Sequence, residues 1–262
     1  AGAGGTGGQT PAVGTLEVFA SLDGNSEGIA LGKDPDGAPA LYAGAGDTVV
    51  RIGADGKVTK VTDLPKPLGM ATTADGDLLV CGTGPDAVGT SDMPGVIWKV
   101  TPAGDKQVWL GPSQDGSLSF KLTNMLAIAP DNRVVFSDSG ANKLYRAEAD
   151  GTGVTLITDA ITYPNGVAFS ADGATLYVAS YSDKKVWSLA RKSDGGFDAP
   201  KVFADGPVNV DGITPLADGG LIFVQTGQGV VKHALDGKET QFVSGDQFLV
   251  CANGAFGEGA LG

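Results

Sequence analysis

The sequence predicts an all-β chain built as a six-bladed β-propeller, and three observations carry that prediction. A short segment recurs along the chain at nearly constant spacing. An aspartate turn follows all but the last copy. The apolar residues fall in short runs among 42 glycines and 14 prolines, which suits many strands and turns rather than long helices.

The recurring segments are SEGIA with Glu27, PLGMA with Gly69, LTNMLAI with Asn124, YPNGVAF with Asn165, NVDGIT with Asp211 and CANGAF with Asn253. These anchors step by 42, 55, 41, 46 and 42 residues. The mean, about 45, is the spacing of four-stranded propeller blades. Five turns follow: Asp36-Gly37, Asp75-Gly76, Asp131-Asn132, Asp172-Gly173 and Asp218-Gly219. They supply the positive φ that tight hairpins require. A second strand comes next in each repeat (LYAG at 41–44, LLVC at 78–81, VVFS at 134–137, LYVA at 176–179, LIFV at 221–224). Third strands follow at 49–52, 96–100, 143–147, 185–189 and 230–234, and a fourth closes each unit. Trp98, Tyr145, Trp187 and Phe223 are expected to fill the cores between blades.

The sixth repeat is short. Its first strand, around Leu249–Phe256, is followed by only a few residues. LEVFASL at 16–22 has the pattern of a fourth strand, so the N-terminal strand is expected to close the last blade. Residues 15–262 then form one propeller domain with an incomplete sixth blade. Residues 1–14 read as a flexible, glycine-rich linker. Such a linker suits a periplasmic or secreted protein with a lipid anchor upstream of residue 1.

Composition narrows the function. The net charge of −12, with no basic stripe, argues against nucleic acid as a partner. No apolar run reaches the length of a membrane helix. Cys81 and Cys251 both sit in apolar runs and read as buried thiols, with a disulfide as the alternative. One histidine, His233, and two cysteines are too few for a zinc cluster.

First strands of successive blades line the central channel, so equivalent anchors point at one axis. Glu27, Asn124, Asn165 and Asp211 carry oxygen there, and Asn253 is a fifth candidate. Two carboxylates and several amide carbonyls make a hard, all-oxygen cage for Ca²⁺, with Mg²⁺ or another divalent cation as the alternative. Asn-Gly and Asp-Gly pairs are ordinary turn formers, but these lie at the blade-equivalent position and not in the hairpins.

From Leu16 to Gly257 the pattern resembles the family that includes regucalcin and gluconolactonase (SMP-30/gluconolactonase/LRE). The SEG of blade 1, PNGVAFSADGATLYVAS of blade 4, the DG of blade 5 and ANGAFG of blade 6 carry the resemblance. It implies a calcium-dependent hydrolase acting on a lactone or related ester in the channel. Activity on aryl esters or phosphotriesters is compatible with it. By motif position, Glu27, Asn165 and Asp211 match the core ligands, and Asn124 matches a fourth that touches metal or substrate. Asp211 is the expected general base or nucleophile, with Glu27 second. Asn124, Asn253 and Lys121 are expected to bind substrate. Two departures stand out. Asn124 is followed by Met125 where many gluconolactonases have Asp, and the arginine that sugar lactonases place before that Asn is missing, with Lys121 as the nearest substitute. His233 falls on a third strand, so no channel histidine is available as a base. The insertion at 84–95 reads as a lid or as a plain surface loop. The rival reading is a non-catalytic propeller that binds a ligand or protein around a structural calcium.

Overall fold

The computed structural model describes residues 18–85, 94–206, 208–226, 229–235 and 237–244. These residues form five four-stranded antiparallel sheets, each in sequential order. Blade 1 is β1 (Ile29–Lys33), β2 (Pro39–Ala45), β3 (Thr48–Gly53) and β4 (Val58–Asp63). Blade 2 is β5 (Met70–Thr72), β6 (Leu78–Thr83), β7 (Gly95–Val100) and β8 (Lys106–Leu110). Blade 3 is β9 (Thr123–Ile128), β10 (Val134–Asp138), β11 (Lys143–Ala147) and β12 (Thr155–Thr158), with a short 3-10 turn at Ser139–Ala141. Blade 4 is β13 (Pro164–Phe169), β14 (Thr175–Ser180), β15 (Lys185–Ala190) and β16 (Lys201–Asp205). Blade 5 is β17 (Val210–Pro215), β18 (Leu221–Gln225), β19 (Gly229–His233) and β20 (Glu239–Ser244).

Every predicted β1–β2-type turn forms with positive φ: Gly37 at 87°, Gly76 at 90°, Asn132 at 65°, Gly173 at 68° and Gly219 at 84°. Burial explains the composition of the strands. Second strands lie between two neighbouring blades and are apolar on both faces; all six residues of β6 are buried. Fourth strands form the rim and carry polar residues, as in VTKVTD of β4. The core is therefore a series of layers between blades. Tyr42, Val80 and Trp98 belong to the layer between blades 1 and 2. Phe136 and Tyr145 belong to the next, where Phe120 meets both rings edge-on. Trp187 packs against the layer between blades 3 and 4, and Phe223 sits in the one between blades 4 and 5. Each side chain that goes from water to full burial here contributes roughly 1.5–3 kcal/mol.

The blade count is a correction. The described residues build five blades, not the six that the repeats predict. The sixth repeat, with Asn253 and Cys251, lies outside the described residues. The expected N-terminal closing strand is also corrected, since residues 18–22 adopt no strand conformation. The third strand that it would pair with lies outside the described residues. Ala20 and Leu22 pack on the face of blade 1 that is turned away from blade 2, against Ala43, Ala45, Val50 and Ile52.

Cys81 is buried and free, and burial pushes its thiol up. His233 lies on β19, 8% exposed, stacked on Phe223 with ring centroids 5.1 Å apart. Both are core residues. Most of the insertion at 84–95 lies outside the described residues.

Candidate active site

The five first strands enter the channel in the same register. The third residue of each second-strand motif pairs across the sheet with the residue two places after an anchor. The pairs are Ala43 with Ile29, Val80 with Met70, Phe136 with Leu126, Val178 with Val167, and Phe223 with Ile213. The equivalent channel positions are therefore Glu27, Leu68, Asn124, Asn165 and Asp211. In blade 2 the anchor is Leu68 and not Gly69. Gly69 is the equivalent of Gly28, Gly166 and Gly212, which follow the anchors in blades 1, 4 and 5.

Three of the oxygen-bearing anchors lie on bulges. The ladder slips between Phe136 and Asp138 opposite Asn124, between Pro164 and Val167 around Asn165, and between Val210 and Ile213 around Asp211. A bulge leaves a residue unpaired and re-aims its side chain. The first strands also approach one another closely. A Cβ on Gly166 would stand 2.4 Å from the Asp211 carbonyl oxygen, and one on Gly28 would stand 1.9 Å from that of Leu68. Only glycine allows these backbones to meet.

Side chains of the preceding blade hold the anchors in place. The Ser137 hydroxyl donates to the Asn165 carbonyl at 2.9 Å, and the Ser139 hydroxyl donates to the Pro164 carbonyl at 2.6 Å. The Gly69 amide donates to the Asn124 carbonyl at 2.7 Å. Asp138, fully buried, accepts from the amides of Lys121 at 2.9 Å, Leu122 at 2.8 Å and Ala141 at 3.2 Å. It fixes the loop that delivers Asn124. Sequence reasoning missed Ser137, Asp138 and Ser139. The available signal was the SDSG that ends an otherwise apolar second strand.

Glu27, Asn124, Asn165 and Asp211 converge on one cavity of about 460 Å³. Leu68, Leu122, Lys66, Tyr163, Tyr181 and Ser182 complete its described lining. Glu27 is exposed at the mouth, Asn124 and Asp211 are half-buried, and Asn165 is buried. Lys121 does not line the cavity; its neighbour Leu122 does. Burial, and then the negative charge of Glu27, push the Asp211 carboxyl up to about 7, while a hydrogen bond with Asn165 opposes the shift. Burial, and then the charges of Glu27 and Asp211, also raise the Tyr163 phenol.

This donor set fits a hard divalent cation. The Glu27 charge raises the proton affinity of Asp211, and a positive charge between them would relieve that repulsion. The two amides add neutral oxygens suited to calcium. Among the described residues no group of three or more His, Cys, Asp or Glu is found.

Known proteins share this architecture. A gluconolactonase from Xanthomonas campestris is 23% identical, with a TM-score of 0.77 over 91% of this chain and 81% of that one. A structural-genomics target assigned to the gluconolactonases is 20% identical, with a TM-score of 0.71 over 88% and 81%. A virginiamycin B lyase from Staphylococcus aureus is 18% identical, with a TM-score of 0.58 over 82% and 68%. No curated protein sequence matches the chain. At these identities the likenesses establish the fold alone, and the lyase shows that the fold serves other chemistry too. The model of the SMP-30/gluconolactonase/LRE-like region matches residues 44–261. The chain, with its ring of channel carboxylates and amides, is a member of that family.

Proposed function

We propose that the chain is a divalent-cation-dependent hydrolase that opens a lactone, or cleaves a related ester, in the propeller channel. The observation that supports it most is the convergence of Glu27, Asn124, Asn165 and Asp211, from four different blades, on one cavity. These four would hold the cation, with Ca²⁺ preferred and Mg²⁺ as the alternative. When bound, the cation supplies Lewis acidity to the ester carbonyl and acidity to a water.

The other steps belong to the chain. Asp211, a half-buried carboxylate facing the cavity, is placed to accept a proton from the attacking water. Water oxygen bonds to the carbonyl carbon, the ring C–O bond breaks, and Asp211 returns the proton to the leaving alkoxide. Glu27, at the mouth, brings the second negative charge to the ring of anchors. Asn165 fixes the Asp211 carboxylate through its amide. Leu68, Leu122 and the two tyrosines exclude bulk water from the ester.

Hydrolysis of a panel of lactones, an aryl ester and a phosphotriester tests this reading. Turnover with Ca²⁺ is expected to vanish with chelator, and Asp211→Ala is expected to lower it by about 10²-fold or more. Turnover that survives both changes would sink the mechanism. A cation that raises the unfolding midpoint without any turnover would favour a non-catalytic propeller around a structural ion.

A further inference from the structure

The cavity has a second tier of blade-equivalent residues, two places before the anchors. In blades 2, 3 and 4 these are Lys66, Leu122 and Tyr163, and all three line the cavity. Two of them are strained. Lys66 and Tyr163 both have φ of 47°, each immediately before a proline. A bulky residue in the left-handed region is strained. The position before proline disfavours helical backbone further.

The same device holds both residues. A side chain from the β2–β3-type loop of the preceding blade accepts the hydrogen bond of the strained amide. Asp47 of blade 1 takes the Lys66 amide at 3.1 Å, and Asn142 of blade 3 takes the Tyr163 amide at 2.9 Å. A strained conformation built twice, both times at the mouth of the cavity, is a positioning feature.

The charge balance says what Lys66 is positioned for. Its ammonium is the only cationic group in the described lining, and the only other charges are Glu27 and Asp211. A dication would neutralise the two carboxylates, which leaves the described lining with one net positive charge at Lys66. Beside it, Leu68, Leu122, Tyr163 and Tyr181 offer apolar and aromatic walls, the two tyrosine rings 6.1 Å apart. We infer that the preferred substrate is an anionic lactone or ester, with its carboxylate on Lys66 and its ring against the aromatic wall. This rests on the hydrolase reading above.

Two matched probes test it in the full chain loaded with Ca²⁺: a γ-butyrolactone bearing a carboxylate, and the same lactone as its carboxamide. Wild type is expected to favour the acid by about tenfold in kcat/KM, the scale of one partly exposed charged hydrogen bond. Lys66→Met should erase that ratio and Lys66→Arg should keep it. Lys201→Met, exposed on β16, should leave it in place as a control for net charge. The ratio should also shrink as salt rises. Equal rates on both probes in wild type, or a preference that survives Lys66→Met, would overturn the inference. If neither probe is hydrolysed, the hydrolase reading fails separately. The stable acid lactone then serves as a calorimetric ligand, and equal binding by wild type and a folded Lys66→Met would overturn the anion assignment by itself.

Discussion

Blades 2 and 4 enter the channel on the same backbone and deliver opposite chemistry. Lys66-Pro67-Leu68-Gly69 and Tyr163-Pro164-Asn165-Gly166 share a proline, a close-packed glycine and a strained first residue with φ of 47°. Blade 4 presents an amide to the ring and an aromatic ring to the mouth. Blade 2 presents a methyl-bearing side chain to the ring and an ammonium to the mouth. The repeat thus builds the scaffold, and individual side chains divide the cavity. Its oxygen-bearing anchors, the proposed cation ligands, come from blades 3, 4, 5 and 1, while blade 2 supplies apolar surface and a positive charge.

Exchanging the anchors breaks this comparison most strongly. Asn165→Leu gives blade 4 the blade 2 side chain. It removes one proposed ligand and the amide that bonds Asp211, so turnover is expected to fall by about 10²-fold or more. Calcium should also stop raising the unfolding midpoint. Calorimetry and a thermal melt check both, and a variant that still binds calcium like wild type would remove Asn165 from the ring.

The next effect is on pH. Asp211 must lose its proton to serve a cation. Calcium affinity should therefore rise with pH up to about 7 and level off above it, by up to about tenfold per unit below that point. In the cation-free protein the sign reverses. The raised carboxyl holds its proton in the folded state after the unfolded chain has lost it. Its contribution to stability is present below the ordinary carboxylate range and is lost as pH rises through about 7. Asp211→Asn should flatten both profiles, measured by titration calorimetry and by melts between about pH 4 and about pH 8, a range that spans the ordinary and the raised carboxyl. A calcium affinity that is flat from pH 5 to 7 would contradict the placement of Asp211 (roughly two units would suffice to see it).

Leu68→Asn sharpens the comparison with the smallest effect. It offers a fifth oxygen from blade 2 at the cost of some apolar wall. Calcium affinity is expected to rise by only a few-fold, since a new ligand replaces a water rather than filling an empty position. No change in affinity, with the fold intact, would mean that the blade 2 position stands back from the ion.

Much of this was legible in the residues. The strands lie where the apolar runs and aspartate turns put them, because period-two burial and positive-φ turns are local properties. Glu27, Asn124, Asn165 and Asp211 were recognisable because a repeat converts equal sequence position into equal spatial position. The blade 2 anchor was misplaced by one residue, at Gly69. A glycine looks like the centre of PLGMA in sequence, and only the ladder register shows that the side chain facing the axis is Leu68. Lys121 was named as the substrate cation, yet its amide is held by Asp138 and Leu122 faces the cavity. The tier of Lys66 and Tyr163 went unread, although the proline after each was a signal in the sequence.

The division has a physical reason. Hydrophobic period, turn chemistry and repeat length act over a few residues to a few tens, so the sequence by itself determined an all-β repeat protein and the residue types at its axis. Closure of the ring, the slip of the ladder at each bulge and the left-handed backbone at Lys66 and Tyr163 depend on contacts between blades. Asp47 reaches Lys66 across 19 residues and Asn142 reaches Tyr163 across 21. Those contacts exist only once the blades have packed, so only the tertiary structure decided which side chains face the cavity and which charge is left to meet a substrate.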